Sequence, residues 1–91
     1  MPEGTDDPIF QMEISAQISI YPLRQEHLAP AIRQLQEILE ARGLAFETGR
    51  MSTQVSGDAD RVFDALKEAF LRAAASGHVV MAVTVSNSCP Q

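Results

Sequence analysis

Residues 12–21 alternate apolar and polar side chains almost without interruption. Because successive side chains of a β-strand point to opposite sides of the sheet, this pattern predicts a first strand with one packed face and one open face. Pro22 has no backbone donor and is expected to end the strand. The packed set comprises Met12, Ile14, Ala16, Ile18 and Ile20, and the open set comprises Glu13, Ser15, Gln17, Ser19 and Tyr21.

Two stretches have the periodicity of amphipathic helices, the first over residues 28–42 and the second directly after Asp58, a predicted N-cap. Gly43 and Gly77 follow them, where a residue with left-handed backbone often ends a helix. Pro30 is compatible with the first turn only. The predicted buried stripes are Leu28, Ala31, Ile32, Leu35, Ile38 and Leu39, then Val62, Phe63, Leu66, Ala69, Phe70 and Ala73.

Three further strands are predicted, over residues 44–48, 51–56 and 78–86. Gly49 and Arg50 predict a two-residue hairpin loop with glycine at positive φ. The last strand alternates like the first, with Thr84 and Ser86 on the polar side and Val79, Met81, Val83 and Val85 on the other.

The order β-α-β-β-α-β predicts an α+β, ferredoxin-like sandwich. Its four-stranded antiparallel sheet has the order 4-1-3-2 and carries both helices on one face. We expect a flexible N-terminal tail over residues 1–11, one domain over residues 12–86 and a C-terminal tail over residues 87–91. A sheet with one bare face often hides it by self-association, so a homodimer or homotetramer is expected.

Composition excludes several classes of partner. The chain has 91 residues and a formal net charge of −5, and Lys67 is its one lysine, so neither nucleic acid nor an anionic membrane surface is an expected partner. The sequence shows neither an apolar run of membrane-spanning length nor a signal-peptide pattern, and the single Cys89 suits a reducing compartment. The predicted location is cytoplasmic.

The residues that could perform catalysis are scattered. His27, His78 and Cys89 lie far apart in sequence, so neither a metal site nor a cofactor is expected. His78 could act as a base near Ser or Glu groups, although a histidine at a strand start more often caps or solvates an edge. Arg24 lies in the first βα loop without a glycine-rich phosphate cradle. We therefore do not expect an enzyme.

The polar sheet face is the strongest candidate site. Its amide and hydroxyl groups can recognise the ring nitrogens and amino group of a flat heteroaromatic molecule, while Tyr or Met packs against the ring. Glu47 of strand two is expected to flank this face. From these residues alone, a polar dimer interface without ligand is an equal alternative. The candidate ligand-binding residues are Gln17, Ser19, Tyr21, Ser52, Thr53 and Thr84.

Four segments resemble the YkoF-like thiamine/hydroxymethylpyrimidine-binding family: residues 19–23, 46–53, 56–58 and 77–81, in matching order and spacing. The resemblance covers about residues 14–86. It implies a ferredoxin-like unit that pairs with a second unit, and short, single-unit members like this chain form dimers that assemble into tetramers. Arg50 replaces the family's usual proline after the hairpin glycine.

The resemblance also implies binding of thiamine or its hydroxymethylpyrimidine moiety without catalysis. Our interpretation is a small-molecule binding protein that holds this ligand at the polar sheet face of an oligomer. The alternative is a non-enzymatic regulatory or structural oligomerisation module with no thiamine ligand.

Overall fold

Four strands and two helices follow one another in the predicted order, in a computed structural model that describes residues 12–23 and 29–88. The elements are β1 Glu13–Pro22, α1 Ala29–Ala41, β2 Ala45–Thr48, β3 Thr53–Asp58, α2 Ala59–Ala74 and β4 Val79–Ser86. The predictions for residues 1–11, Arg24, His27, Leu28 and Cys89 lie outside the described residues. No helix within the described part of the chain is long and apolar enough to cross a membrane.

The sheet has the order β2-β3-β1-β4, and every neighbouring pair is antiparallel. β1 lies in the centre, so its register fixes both neighbours. Ile18 faces Thr53 on one side and Val83 on the other, while Gln17 faces Gln54 and Thr84. The ferredoxin-like α+β fold is thereby confirmed.

The alternation of β1 also predicts the core, except at Met12, which precedes the strand and is 39% exposed. Its apolar residues Ile14, Ala16, Ile18 and Ile20 are at most 7% exposed and lie beneath the helices. Elsewhere in the described part of the chain, the buried apolar residues are Leu35, Ile38, Leu39, Leu44, Val55, Val62, Ala65, Leu66 and Ala69. One contiguous core therefore fills the space between the sheet and the two helices.

The predicted stripe of α2 is wrong at its two aromatic residues. Phe63 and Phe70 are 52% and 39% exposed, and Ala65 is buried instead. At 100° per residue, both phenylalanines lie about 80–100° around the helix from the fully buried Val62. They therefore occupy a flank of α2 rather than its inner face.

The β2–β3 hairpin also differs from the prediction. Thr48 pairs with Thr53, so the loop comprises the four residues 49–52, and Gly49 N–H donates to the Ser52 carbonyl at 2.8 Å. This register places Phe46 opposite Val55, which pairs two inward apolar side chains. Gly43 has φ 67° after α1, as predicted, and Gly57 and Gly77 also have positive φ, at 156° and 149°. Gly49 does not have the positive φ that was predicted for it.

An ionic cluster joins the two helices. The Arg42 guanidinium lies 2.7 Å from Asp64 and 2.6 Å from Glu68, and Arg61 Nη1 donates to the Arg42 carbonyl at 2.8 Å. The hydrogen bond to Asp64 raises the pKa of Arg42 above its ordinary value. The cluster fixes the end of α1 against α2 on the side away from the open sheet face.

Candidate functional site

The outer face of the sheet carries an open groove of about 520 Å³, which we call the sheet groove. Binding sites for small organic molecules typically measure about 300 to 1,000 Å³, so the groove is large enough for a heteroaromatic ligand. It crosses all four strands, and its polar lining comprises Ser15, Gln17, Glu47, Gln54, Ser56, Thr84 and Ser86.

Strand register explains the shape of the groove, because two rows of directly opposed residues cross the sheet. The long row consists of Glu47, Gln54, Gln17 and Thr84, in the order β2, β3, β1, β4. The short row, two residues further along, consists of Ala45, Ser56, Ser15 and Ser86.

Each row spans about 14 Å, since neighbouring strands lie about 4.8 Å apart. The side chains of the short row are small and end in one methyl and three hydroxyl groups. The longer side chains of the long row lie beside them and present a carboxylate, two amides and a hydroxyl to the sheet groove. This arrangement can offer both donors and acceptors along the edge of a planar ring.

Two of the predicted site residues also hold the hairpin loop. Gln17 Nε2 donates to Ser52 Oγ at 3.3 Å, and Ser19 Oγ donates to the Met51 carbonyl at 3.1 Å. Both side chains therefore have a structural role that the sequence did not reveal. The other polar atom of this side chain, the amide oxygen Oε1 of Gln17, remains an acceptor for a ligand in the groove.

A smaller cavity of about 70 Å³ lies between the end of β1, the hairpin and α1. Ser19, Tyr21, Ser52 and Thr53 all border it. Its volume is well below that of typical ligand sites, so the sheet groove is the better candidate. Gln36 Nε2 of α1 donates to Thr48 Oγ1 at 2.9 Å, which links the helix to the strand beside this cavity.

The placement of Thr53 on the polar sheet face is wrong. Thr53 is only 3% exposed and pairs with the inward-facing Ile18, so its side chain points towards the helices. The same register turns Val55 inward and Gln54 and Ser56 outward. The structure thus brings Gln17 and Thr84 together in the sheet groove and gathers the other four predicted residues around the small cavity.

Ser15 and Glu47 lie in the groove, as expected for the open face, although neither was among the six candidate ligand-binding residues. Gln54 and Ser56 also line the groove and were not singled out. The signal for these two residues is the inward position of Val55, which forces Gln54 and Ser56 outward. His78 is exposed, and it lies just before β4, where its carbonyl accepts from Leu23 N–H at 2.9 Å. Within residues 12–23 and 29–88, no three His, Cys, Asp or Glu side chains converge as metal ligands.

This chain is similar to one family of proteins and to several solved structures. A family model described as the YKOF-related family matches residues 13–91. Among proteins whose function has been curated, none is significantly similar to the chain.

Solved structures share the fold. A hypothetical protein from Methanocaldococcus jannascii is similar at 25% identity and a TM-score of 0.77, over 87% of this chain and 84% of that one. A putative thiamine biosynthesis/salvage protein from Thermotoga maritima matches at 20% identity and a TM-score of 0.70, over 80% of this chain and 81% of that one. A domain of unknown function from Bacillus cereus matches at 19% identity and a TM-score of 0.71, over 84% and 76% of the two chains.

Proposed function

The chain belongs to the YKOF-related family, and from this premise we propose that it is a non-enzymatic protein that binds thiamine or its hydroxymethylpyrimidine moiety in the sheet groove. The observation that carries the proposal is the long row of the groove. It sets the carboxylate of Glu47, the amides of Gln54 and Gln17 and the hydroxyl of Thr84 side by side.

The chemistry of this row complements thiamine. An aminopyrimidine ring offers an amino donor and two ring-nitrogen acceptors, which the amides of Gln17 and Gln54 can satisfy. The thiazolium ring carries a positive charge, and Glu47 supplies the opposite charge at one end of the row. A chain with a net charge of −5 also attracts a cation over a longer range.

The groove is open, whereas small-molecule sites usually bury most of their ligand. In our proposal the outer sheet face of another copy closes the groove, so the ligand lies between subunits. The groups that line the groove form hydrogen bonds and one ion pair, and such contacts suit reversible sequestration or delivery of the ligand.

Isothermal titration calorimetry with thiamine and with hydroxymethylpyrimidine tests the proposal. We expect saturable heat with at least one of them, and weaker binding of both in Gln54→Ala, whose side chain lies in the groove and whose truncation leaves the core intact. Glu37→Ala, an exposed position on α1, is the matched control and should bind like the wild type. Absence of heat at millimolar concentrations of both ligands would contradict the proposal.

One observation favours a second candidate, the oligomerisation module without a thiamine ligand. Tyr21 and Val80 are opposed on the outer sheet face and are 43% and 48% exposed, and Met51 of the nearby hairpin is 77% exposed. Apolar exposure on an otherwise polar face is typical of a contact surface. Under this alternative, Gln17→Ala changes the oligomer mass and the wild type binds neither ligand.

A further inference from the structure

The charges of the described residues are divided unequally between the two layers of the domain. The charged side chains of the strands are all carboxylates, namely Glu13, Glu47 and Asp58. The helix layer, which includes the residue directly after α1, instead balances five bases against five acids. They are Arg33, Arg42, Arg61, Lys67 and Arg72, and Glu37, Glu40, Asp60, Asp64 and Glu68. The sheet layer is therefore the negative side of the domain.

Two of these carboxylates lie on different sides of the sheet groove, and both are exposed. Glu47 ends the long row on β2. Glu13 lies on the open face of β1, two residues beyond Ser15 of the short row, or about 7 Å further along the strand. Among the described residues that line the groove there is neither lysine nor arginine. The field at the groove therefore attracts a cation and repels an anion.

A phosphate group is poorly matched to this surface. Proteins bind phosphate mainly through arginine, lysine or the N–H groups at the start of a helix. The bases of the helix layer lie across the core from the groove. The start of α2 is already occupied, because the Asp58 side chain accepts from Arg61 N–H at 3.1 Å and Asp60 adds a second carboxylate. The hydroxyl and amide groups of the groove can donate hydrogen bonds to phosphate, but they do not neutralise its charge.

Arg50 is the base nearest to the groove along the chain, three residues after Glu47. It lies in the hairpin loop and borders the small cavity, not the sheet groove. The loop is held at the level of Ser19, whose hydroxyl donates to the Met51 carbonyl, whereas the groove lies around the earlier part of β1. Glu47 thus comes before Arg50 on the way from the groove to the hairpin, and its charge opposes the entry of an anion.

We propose that the sheet groove selects unphosphorylated heteroaromatic ligands and excludes their phosphate esters, with Glu47 as the specificity-determining residue. This inference rests on the proposed function, because it concerns the same groove. A phosphate ester carries about −1.5 to −2 charges at pH 7. In thiamine monophosphate this group is attached through the hydroxyethyl arm to the thiazolium ring, so it accompanies the cation to Glu47. In hydroxymethylpyrimidine phosphate there is no cation to compensate for it. A ligand that acquires a phosphate group therefore leaves the groove.

Calorimetric titration of the full chain with two ligand pairs tests the selectivity: thiamine with its monophosphate, and hydroxymethylpyrimidine with its phosphate. At low salt we expect each phosphate ester to bind at least about tenfold more weakly than its parent, and the ratio should shrink at about 0.5 M NaCl. Equal affinity of parent and ester at low salt would overturn this proposal alone. Absence of binding by both parents would overturn the proposed function and this proposal with it.

Charge variants locate the source of the selectivity. Glu47→Lys should reverse the preference between thiamine and its monophosphate, and the milder Glu47→Gln should bring the ratio of the two affinities closer to one. Glu37→Lys is the matched control, since it changes the net charge of the chain by the same amount at an exposed position on α1. It should keep the wild-type ratio, as should Arg50→Gln. An equal shift of the ratio in Glu37→Lys and Glu47→Lys, or binding of the monophosphate that is lost in Arg50→Gln, would overturn the proposal.

Discussion

Gly57 is the position at which one added methyl group should cost most. It lies in β3 opposite Ile14, so a side chain there would point into the core. A Cβ atom at Gly57 would lie 2.6 Å from Leu44 Cδ2, and the backbone φ is +156°. Leu44 is only 6% exposed and is enclosed by the surrounding core, so it has little room to move away.

Two costs add in Gly57→Ala. Overpacking a core typically costs about 1–3 kcal/mol, and a non-glycine residue in this backbone region costs about 1–3 kcal/mol more. A domain of this size has a free energy of unfolding of roughly 5–14 kcal/mol. A loss of about 3 kcal/mol would lower Tm by roughly 12–24 °C.

Urea unfolding followed by circular dichroism measures this loss, at one fixed protein concentration because self-association would shift the apparent stability. Repeating the substitution in a Leu44→Ala background separates the two costs. With the Leu44 methyl groups removed, the methyl group added at position 57 meets free space, and only the backbone cost should remain.

Gly49→Ala is the matched control, because its nearest contact is an ordinary 3.5 Å to the Ser52 carbonyl oxygen and its φ lies outside the left-handed region. This variant should be neutral or slightly stabilising. Equal stability of Gly57→Ala and Gly49→Ala would refute the argument. A loss that persists undiminished in the Leu44→Ala background would assign the whole effect to the backbone.

Three further variants test the N-cap, the core and the groove. Asp58→Ala removes the side chain that accepts from Arg61 N–H at 3.1 Å and should cost about 1 kcal/mol in urea unfolding, whereas Asp58→Asn should cost less. Leu39→Ala, at a fully buried site, should cost about 3–5 kcal/mol, and a loss below about 1 kcal/mol would show that the core collapses around the gap. Glu47→Gln should weaken thiamine binding about fivefold at low salt, because it removes the proposed ion pair with the thiazolium ring. The substitution should have little effect on thiamine binding at about 0.5 M NaCl, or on the binding of uncharged hydroxymethylpyrimidine. A loss of thiamine binding that does not depend on salt would argue against the ion pair.

The sequence predicts the fold well because β1 repeats its alternation over a whole strand. Four alternating apolar residues within one strand leave a single choice of inner face, and β1 then sets the face of its neighbours. The family-like segments agree with the family match over residues 13–91. The left-handed backbone of Gly43 was also predictable, since a glycine directly after the apolar stripe of a helix often adopts this conformation and ends the helix.

The candidate site was less predictable because β3 is polar on both sides. Thr53 and Gln54 are equally plausible outward residues from sequence, and only the pairing of Thr53 with Ile18 decides between them. The hairpin was misjudged for a related reason: loops of two and four residues keep the same alternation, so the pattern of faces does not distinguish them. Phe63 and Phe70 satisfy helical spacing, yet the inner face of α2 is already filled by smaller residues.

The alternation of β1 assigns stability and recognition to different residues of one strand. Its even-numbered positions, such as Ile18, maintain the fold, while odd-numbered positions, such as Gln17, meet whatever lies against the sheet. A saturation scan of β1 should therefore show a period of two: expression fails at the buried even positions, whereas substitutions at odd positions change recognition and, at Gln17 and Ser19, the anchoring of the hairpin loop. Evolution can replace the guest molecule of such a scaffold through odd-numbered substitutions while the hydrophobic interior stays as it is.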